Sequence, residues 1–223
     1  MYRIETHLHT AYVSRCGWLG AQALIRMYAA GGYSAICVTD HYNRDTFDYL
    51  ETDLSAPGSR ADEFLLGFRR LQREAERYGI LVYEGAELRF DGSDNDYLLY
   101  GFHRSLIADP DPIMRGGLAK FSERCRADGA LLIQAHPFRE KCTPAPAEYI
   151  DGVEVQNTNP RHDSRDSLAL SYAKKHHLLM TAGSDCHRPG DECRSGILSD
   201  TLPKDGFEFA RLIRSGNYRR IRP

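Results

Sequence analysis

The stretch Ile4-Glu5-Thr6-His7-Leu8-His9-Thr10 alternates apolar and polar side chains and carries two histidines two positions apart. On a β-strand, residues two apart point to the same face, so the stretch predicts a first strand that holds His7 and His9 side by side. Two imidazoles on one rigid element can bind a single metal ion. An H-x-H pair is a weak signal by itself, and its weight depends on where the other histidines of the chain fall.

The composition is that of an ordinary globular protein. The chain has 223 residues, of which 42% are hydrophobic and 27% are charged, so it is long enough to bury a sizeable core. Its net charge of -2 gives no overall electrostatic footprint for nucleic acid or for an anionic membrane. The sequence contains no apolar run of the ~20 residues that a membrane span needs, and its N-terminus begins with a strand pattern instead of a signal peptide. We therefore expect a cytoplasmic protein without a membrane partner.

Strand and helix patterns alternate along the rest of the chain. The run 34–39 is almost continuously apolar, which is typical of a strand buried on both faces of a parallel sheet. Further strands are predicted at 80–90, 97–102, 130–135, 152–157, 178–181 and 218–221. Helices are predicted at 21–30, 61–78, 113–127, 164–176 and 207–215. Because no linker, low-complexity tract or charge block interrupts this alternation, we expect a single α/β domain over residues 1–223.

The number of strands favours a closed sheet. Seven or so mostly parallel strands, each followed by a helix or a long loop, predict a closed or nearly closed barrel. The alternative is an open doubly wound sheet. In both architectures, functional sites form at the carboxyl ends of the strands.

Residue types that bind metals gather at these predicted strand ends. They are His7, His9, Asp40, His41, Glu87, His103, His136, Asp185 and His187. Six of the nine histidines belong to this set, and His162, His176 and His177 do not. Each residue alone has a simpler interpretation, such as a helix cap or a turn. Together they predict a site for several metal ions.

The order of the motifs resembles the PHP (polymerase and histidinol phosphatase) domain family. The motifs are His7-Leu8-His9, Thr39-Asp40-His41, Gly85-Ala86-Glu87, Gly101-Phe102-His103, Ala135-His136-Pro137 and Gly183-Ser184-Asp185-Cys186-His187. They extend over nearly the whole chain, and as a set they are highly specific. The resemblance implies a distorted (β/α)7 barrel of PHP type in which two or three divalent metal ions hydrolyse phosphoesters.

The resemblance also implies a set of ligands for each ion. The first ion would be held by His7, His9, Glu87 and Asp185, the second by Glu87, His103 and His136, and the third by His41 and His187. Imidazoles with a few carboxylates suit zinc, manganese or iron better than calcium or magnesium. A bridging carboxylate such as Glu87 can hold two ions ~3.5–4 Å apart, the separation used for in-line displacement at phosphorus.

The sequence departs from the family pattern just after the H-x-H motif. Many family members have an aspartate or histidine there as a further ligand, whereas this chain has Arg15 or Cys16, depending on the alignment of the loop. A Cys16 thiolate can bind zinc, and Arg15 can contact phosphate. Cys16 and Asp40 are therefore additional candidate ligands. Binding of the third ion depends on whether Cys16 is a ligand.

The predicted reaction is direct hydrolysis. A water made acidic between the first two ions attacks phosphorus, with Glu87, Asp185 and His187 as the catalytic residues. His187 or His41, directly or through the third ion, assists the departure of the leaving oxygen. The guanidinium group of arginine commonly binds phosphate through two N–H groups. The candidate phosphate-binding residues are Arg161, Arg188 and Arg15.

The expected substrate is a small phosphomonoester, such as histidinol phosphate or a nucleotide, and nucleic acid is not expected. An exonuclease or phosphodiesterase, an amidohydrolase and a non-catalytic PHP module are the alternatives. The loops 43–59, 138–147 and 188–194 are expected to select the substrate. The sequence sets no oligomeric state.

Overall fold

A computed structural model describes residues 1–54 and 60–221. In these residues, ten strands form one sheet: β1 (Tyr2–Leu8), β2 (Tyr33–Val38), β3 (His41–Tyr42), β4 (Leu81–Arg89), β5 (Asp96–Tyr100), β6 (Leu131–Gln134), β7 (Gly152–Asn157), β8 (Leu179–Gly183), β9 (Ile197–Ser199) and β10 (Arg219–Arg220). The helices in the same ranges are α1 (Ala21–Ala30), α2 (Arg44–Tyr49), α3 (Ala61–Phe64), α4 (Leu66–Ala75), α5 (Pro110–Asp128), α6 (Asp166–His176) and α7 (Gly206–Ser215).

The sheet curls into a distorted barrel. Its order is β10-β9-β1-β2-β4-β5-β6-β7-β8, with β3 paired to β4, so seven strands form the wall between β1 and β8. The wall closes where the end of β1 meets the segment after β8. There the N–H of His9 donates to the carbonyl of Cys186 at 2.9 Å, and the N–H of Cys186 donates to the carbonyl of His7 at 3.3 Å. The predicted seven-stranded barrel is confirmed, and the open doubly wound alternative is wrong.

One strand of the wall runs against the others. β5 pairs antiparallel with both β4 and β6, while β1 with β2, β2 with β4, β6 with β7 and β7 with β8 are parallel pairs. The short turn at residues 91–95 causes this reversal, because a hairpin returns the chain beside the strand that it has just left. β5 therefore begins at the end of the barrel where the parallel strands finish.

Helix α7 closes the other end of the barrel. The ring of Phe209 packs against Tyr83 and Tyr100, each at a centroid distance of 5.1 Å, and all three side chains are buried. A Cβ on Gly101, at the end of β5, would lie 2.5 Å from the Cβ of Ala210, which shows how closely this helix approaches the strand ends. The carboxyl ends of the parallel strands remain as the open end.

Most predicted elements are present with small shifts at their ends. The helix predicted at 61–78 is divided into α3, α4 and a short 3-10 turn, and α5 is interrupted at Gly117, whose φ is +73°. The loop predicted at 43–59 contains α2, and its residues 55–59 lie outside the described part of the chain. Among the described residues, no helix has both the length and the apolar character to cross a membrane.

Candidate metal centre

His7 and His9 form the centre of a buried cluster at the open end of the barrel. Both side chains are fully buried, and their Nε2 atoms lie 3.1 Å apart. The Nδ1 of His7 lies 3.0 Å from Oε1 of Glu154, and the Nδ1 of His9 lies 3.3 Å from Oγ of Ser14. Because each Nδ1 has an outer partner that can accept its proton, the Nε2 lone pairs of both rings face one point.

Two buried carboxylates complete this first group. Asp185 Oδ1 lies 3.4 Å from Nε2 of His7 and 3.3 Å from Nε2 of His9. Glu87 places one oxygen 3.3 Å from Nε2 of His7 and the other 3.4 Å from Nε2 of His9. Donor atoms on a tetrahedral ion with bonds of about 2.0–2.1 Å lie about 3.3–3.4 Å apart. The spacing of the donors therefore fits a zinc-sized ion.

Glu87 joins the first group to a second one. Its Oε1 lies 3.1 Å from Nε2 of His136, which follows β6. Asp96, the first residue of β5, lies with its Oδ2 3.9 Å from the same nitrogen. The ligand atoms of Glu87, Asp96 and His136 all lie within 4.8 Å of one another. Glu87 thus contacts both groups, as a bridging carboxylate does.

A third group lies nearer the rim and consists of His9, His41 and His187, whose ligand atoms also lie within 4.8 Å of one another. The short strand β3 pairs His41 with Glu87, and Nδ1 of His41 lies 2.8 Å from Oε2 of Glu87. Burial would raise the pKa of the Cys16 thiol, but hydrogen bonds from His187 and His41 lower it to about 6. Cys16 also lines a cavity beside His41 and His187, whereas Arg15 is not among the lining residues.

The cluster contains opposite charges that burial alone would not favour. Burial lowers the pKa of His7, but the carboxylates of Glu154, Asp185 and Glu87 more than offset this and raise it well above the usual value. Burial likewise raises the pKa of Glu87, but His7 and His41 hold it well below the usual range. Metal binding at these histidines is therefore expected to release protons.

Several buried polar atoms in the cluster also lack hydrogen bonds. Within the described residues, Nδ1 of His41 and Oε2 of Glu87 lie 2.8 Å apart but not in hydrogen-bond geometry, and neither they nor Nδ1 of His136 has another hydrogen-bond partner. Buried polar atoms are normally satisfied, so a set of them in one place needs an explanation. A group of nitrogen and carboxylate donors around a common point fits zinc, manganese or iron.

The backbone is strained at two of these residues. Asp185 has a φ of +50° and His136 has a φ of +28°, values that residues other than glycine rarely adopt. Such conformations cost about 1–3 kcal/mol each and are found mainly at functional sites. Arg139 and Asn157 donate to Oδ2 of Asp185 at 2.7 and 3.2 Å, which leaves Oδ1 directed to the histidines.

The structure places His103 away from the cluster, contrary to the prediction. Because β5 is antiparallel, its end lies at the closed end of the barrel. The side chain of His103 is 65% exposed, with Nδ1 3.2 Å from Asp128 and its ring 5.0 Å from that of Phe207. Asp96, at the beginning of the same strand, lies beside His136 instead. The short turn before β5 was the sequence signal for this exchange.

Asp40 is also absent from the metal groups. Its Oδ1 accepts the N–H of Thr10 at 2.6 Å and the hydroxyl of Ser14 at 2.7 Å, and its Oδ2 accepts the hydroxyl of Thr10 at 2.7 Å. Burial raises its pKa to about 6 despite these hydrogen bonds. Asp40 therefore holds the loop after β1 and, through Ser14, supports His9.

A cavity of about 400 Å³ opens over the three groups and is lined by four arginines. Three of them are paired with carboxylates at 2.6–2.7 Å: Arg89 with Asp96, Arg139 with Asp185, and Arg161 with Asp191. Arg188 has no carboxylate partner in the described part of the chain, and its guanidinium lies 4.2 Å from the ring centre of Trp18. Arg15 is exposed and is not among the residues that line the cavity, and its contact with phosphate stays a prediction.

Sequence reasoning missed three residues of the site besides Asp96. Ser14 and Glu154 support the two central histidines, and His162, which was predicted to lie elsewhere, lines the cavity. A glutamate inside the otherwise apolar run Val153-Glu154-Val155 was a usable signal, because a buried charge needs a partner. Ser14 and His162 lie in loops, for which the sequence offered no comparable signal.

The sequence profile of the PHP domain matches residues 5–188 of the chain. No curated protein matches the chain. Among solved structures, it is similar to a two-domain protein from Bacteroides vulgatus that contains a predicted PHP-like metal-dependent phosphoesterase, with a TM-score of 0.68 and 16% identity over 99% of this chain and 64% of that one.

Two further structures have the same fold with other functions in their names. An amidohydrolase from Chromobacterium violaceum has a TM-score of 0.56 and 14% identity, covering 99% of this chain and 98% of that one. A lesion-specific endonuclease from Pyrococcus furiosus has a TM-score of 0.61 and 13% identity, covering 98% of this chain and 57% of that one. At such identities the likeness shows the fold alone. The sequence profile covers most of the chain, and the chain belongs to the PHP domain family, whose members include metal-dependent phosphoesterases.

Proposed function

We propose that this protein hydrolyses a small phosphomonoester, such as histidinol phosphate or a nucleotide, at a centre of two or three metal ions. One observation supports the proposal above all. Three overlapping groups of metal-ligand atoms form the floor of a single cavity, and an arginine without a carboxylate partner among the described residues lies at its rim. Hydrolysis of a phosphoester uses both parts, since the phosphoryl oxygens are negatively charged.

Each group of donors has a place in the proposal. The first ion is assigned to His7, His9, Glu87 and Asp185, the second to Glu87, Asp96 and His136, and the third to His41 and His187, with Cys16 as a further candidate ligand. Zinc, manganese or iron suits these donors. When bound, such ions supply a water nucleophile at neutral pH and neutralise charge on the phosphoryl group.

Arg188 is assigned to the phosphoryl oxygens of the substrate. Its backbone N–H donates to Oδ2 of Asp191 at 2.9 Å, and the same carboxylate pairs with Arg161. The indole of Trp18 lies against the guanidinium, while the backbone N–H of Trp18 donates to the carbonyl of His187 at 2.8 Å. The backbone of Arg188 is held by Asp191 and its side chain by Trp18, and the guanidinium N–H groups remain available to an anion.

His187 is assigned to the leaving group. It lines the cavity beside Arg188. Burial lowers its pKa, but Cys16 and Asp185 more than offset this and raise it. A protonated imidazole can donate to the oxygen that departs from phosphorus. When a third ion is bound, His187 is a ligand instead.

The charges around the cavity favour a small substrate over nucleic acid. Three of the four lining arginines are already paired with carboxylates of the protein, and the net charge of the chain is -2. Proteins that bind nucleic acid meet the phosphate backbone with clustered free cations. A phosphomonoester needs only the metal ions and one or two arginines.

Two other activities share this fold and set the alternatives. The similar endonuclease makes a nuclease the second candidate, and the similar amidohydrolase makes hydrolysis of a C–N bond the third. Neither explains as directly why Arg188 has no carboxylate partner among the described residues, because an amide carries no negative charge and a nuclease needs a wider basic surface.

The proposal is tested with the metal-reconstituted protein and a panel of phosphomonoesters, a phosphodiester and single-stranded DNA at equal phosphate concentration. We expect turnover of monoesters to exceed that of DNA by orders of magnitude at low and at moderate salt. Glu87→Ala, purified in parallel, serves as the control for contaminating phosphatases. Efficient DNA cleavage that collapses as salt is raised would overturn the proposal in favour of the nuclease.

A further inference from the structure

Glu154, in the middle of β7, is a buried carboxylate that lies outside all three groups of metal-ligand atoms. Its Oε1 lies 3.0 Å from Nδ1 of His7. Its Oε2 accepts the backbone N–H of His136 at 3.2 Å and the amide of Asn157 at 2.8 Å. One side chain therefore connects a residue of the first group, a residue of the second group and the amide that also holds Asp185.

The contact with His7 fixes the proton of the ring. A carboxylate that carries its charge can only accept, so Nδ1 of His7 must donate to it. In the neutral imidazole that can bind a metal ion, the other nitrogen, Nε2, then carries no proton, and it lies 3.1 Å from Nε2 of His9, inside the first group. Metal-binding histidines commonly have a carboxylate on their outer nitrogen, which orients the ring and increases its basicity.

His9 has a weaker version of the same support. Its Nδ1 lies 3.3 Å from Oγ of Ser14, and this hydroxyl donates to Asp40 at 2.7 Å. The carboxylate of Asp40 thus acts on His9 through the neutral hydroxyl of Ser14, whereas the carboxylate of Glu154 contacts His7 directly. The direct hydrogen bond to a charged acceptor is the stronger of the two.

The local sequence leaves room for this contact. A Cβ on Gly183 would lie 2.4 Å from the Cβ of His7 and 2.7 Å from Oε1 of Glu154. Strand β8 can therefore lie between the two residues only with glycine at this position, since any larger residue would displace one of them.

From these contacts we infer that Glu154 is a positioning residue, which sets the proton position and orientation of His7 and thereby the metal affinity of the first group. The inference rests on the proposed metal centre. It assigns Glu154 no contact with metal or substrate, and it predicts a loss of metal affinity that can be measured without turnover.

The test is Glu154→Gln, which keeps the size of the side chain and removes its charge. If the amide oxygen faces His7, the amide N–H groups face two other donors, the N–H of His136 and the amide of Asn157. If the amide is turned, its N–H faces Nδ1 of His7 and favours the wrong tautomer. We expect the dissociation constant of the first Zn²⁺, measured by chelator competition at fixed pH, to rise about 10–100-fold.

A matched control separates this role from the loss of any buried carboxylate. Glu5, on β1, is equally buried and accepts the N–H groups of Thr6, His7 and Ser184 and the hydroxyl of Tyr28. Among the described residues, none of its hydrogen bonds involves the side chain of a proposed ligand. Glu5→Gln is expected to lower the melting temperature and to leave Zn²⁺ affinity near the wild-type value. Ser14→Ala should weaken Zn²⁺ binding less than Glu154→Gln.

Two results would overturn the inference. One is a folded Glu154→Gln protein that binds the first Zn²⁺ as tightly as wild type. The other, which needs no variant, is an NMR spectrum of the zinc-loaded wild type in which Nδ1 of His7 carries no proton. Failure of the wild type to bind Zn²⁺ would instead contradict the proposed function itself, so the two failures are distinguishable.

Discussion

The first and third donor groups share His9 but differ in how firmly their other members are held. In the first group, His7 and Asp185 are buried, and each has partners on the side away from the common point. In the third group, the side chains of His41 and His187 are 18% and 12% exposed, and Cys16 lies at the surface. A site that is already arranged loses less conformational freedom when an ion binds. Metal affinity should therefore decrease from the first group to the third.

The largest effect is expected from Glu87→Ala, because Glu87 contacts all three groups. Loss of its carboxylate removes the bridge and leaves His7, His41 and His136 without their common partner. Activity on a phosphomonoester should fall to background, while the circular dichroism spectrum remains that of a folded barrel. Residual activity above one tenth of wild type would show that Glu87 is no bridge.

The second group distinguishes the two ends of β5. Asp96→Asn should lower kcat by more than the about 10–100-fold that loss of an outer partner costs, since Asp96 is assigned as a ligand. His103→Ala is the matched control at the other end of the strand and should have the activity and metal content of wild type. The reverse result would return His103 to the site and contradict the described direction of β5.

Arg188 and Trp18 test the substrate side of the cavity. A hydrogen bond to a charged group contributes about 1.5–3 kcal/mol, so Arg188→Ala should raise KM by about 10–100-fold. A cation–π contact at an exposed site contributes about 0.5–1 kcal/mol, so Trp18→Ala should raise KM by about 2–5-fold. In the double variant the effect of Trp18→Ala should disappear. Full additivity of the two changes would mean that Trp18 does not act through Arg188.

Cys16→Ser is expected to have the smallest effect, because it reaches only the third group. It should reduce kcat less than His9→Ala, which removes a ligand assigned to the first ion. In the cobalt-substituted wild type, a sulfur-to-metal absorption band that is lost in Cys16→Ser would identify the thiolate as a ligand. A loss of activity as large as that of His9→Ala would place Cys16 at the first ion and contradict the ranking of the groups.

The sequence predicted the ring of strands and most of the donor atoms, since both follow from periodicity and from the order of motifs. His7, His9, His41, Glu87, His136, Asp185 and His187 lie together as expected. The prediction failed for His103, because the rule that sites form at strand ends holds only for the parallel strands, and β5 is reversed. It also failed for Asp40, whose hydrogen bonds to Thr10 and Ser14 depend on the fold of a loop.

The residues that support the proposed ligands and the substrate could not be predicted from the sequence for a different reason. Glu154 and His7 are separated by 147 positions in the sequence, and only the closure of the barrel brings them together. Arg188 differs from the other cavity arginines only in what surrounds it. Two of their pairs, Arg139 with Asp185 and Arg161 with Asp191, join residues 46 and 30 positions apart. Pairing of this kind is a property of the packed structure and leaves no local pattern.

The metal content of the metal-replete protein is the most direct test of the central claim. Elemental analysis after dialysis should find two or three ions of zinc, manganese or iron per chain, and the number should fall in Glu87→Ala but not in His103→Ala. The account predicts that hydrolysis of a phosphomonoester is lost and regained as these ions are removed and returned. Fewer than one ion per chain in the wild-type protein would contradict it.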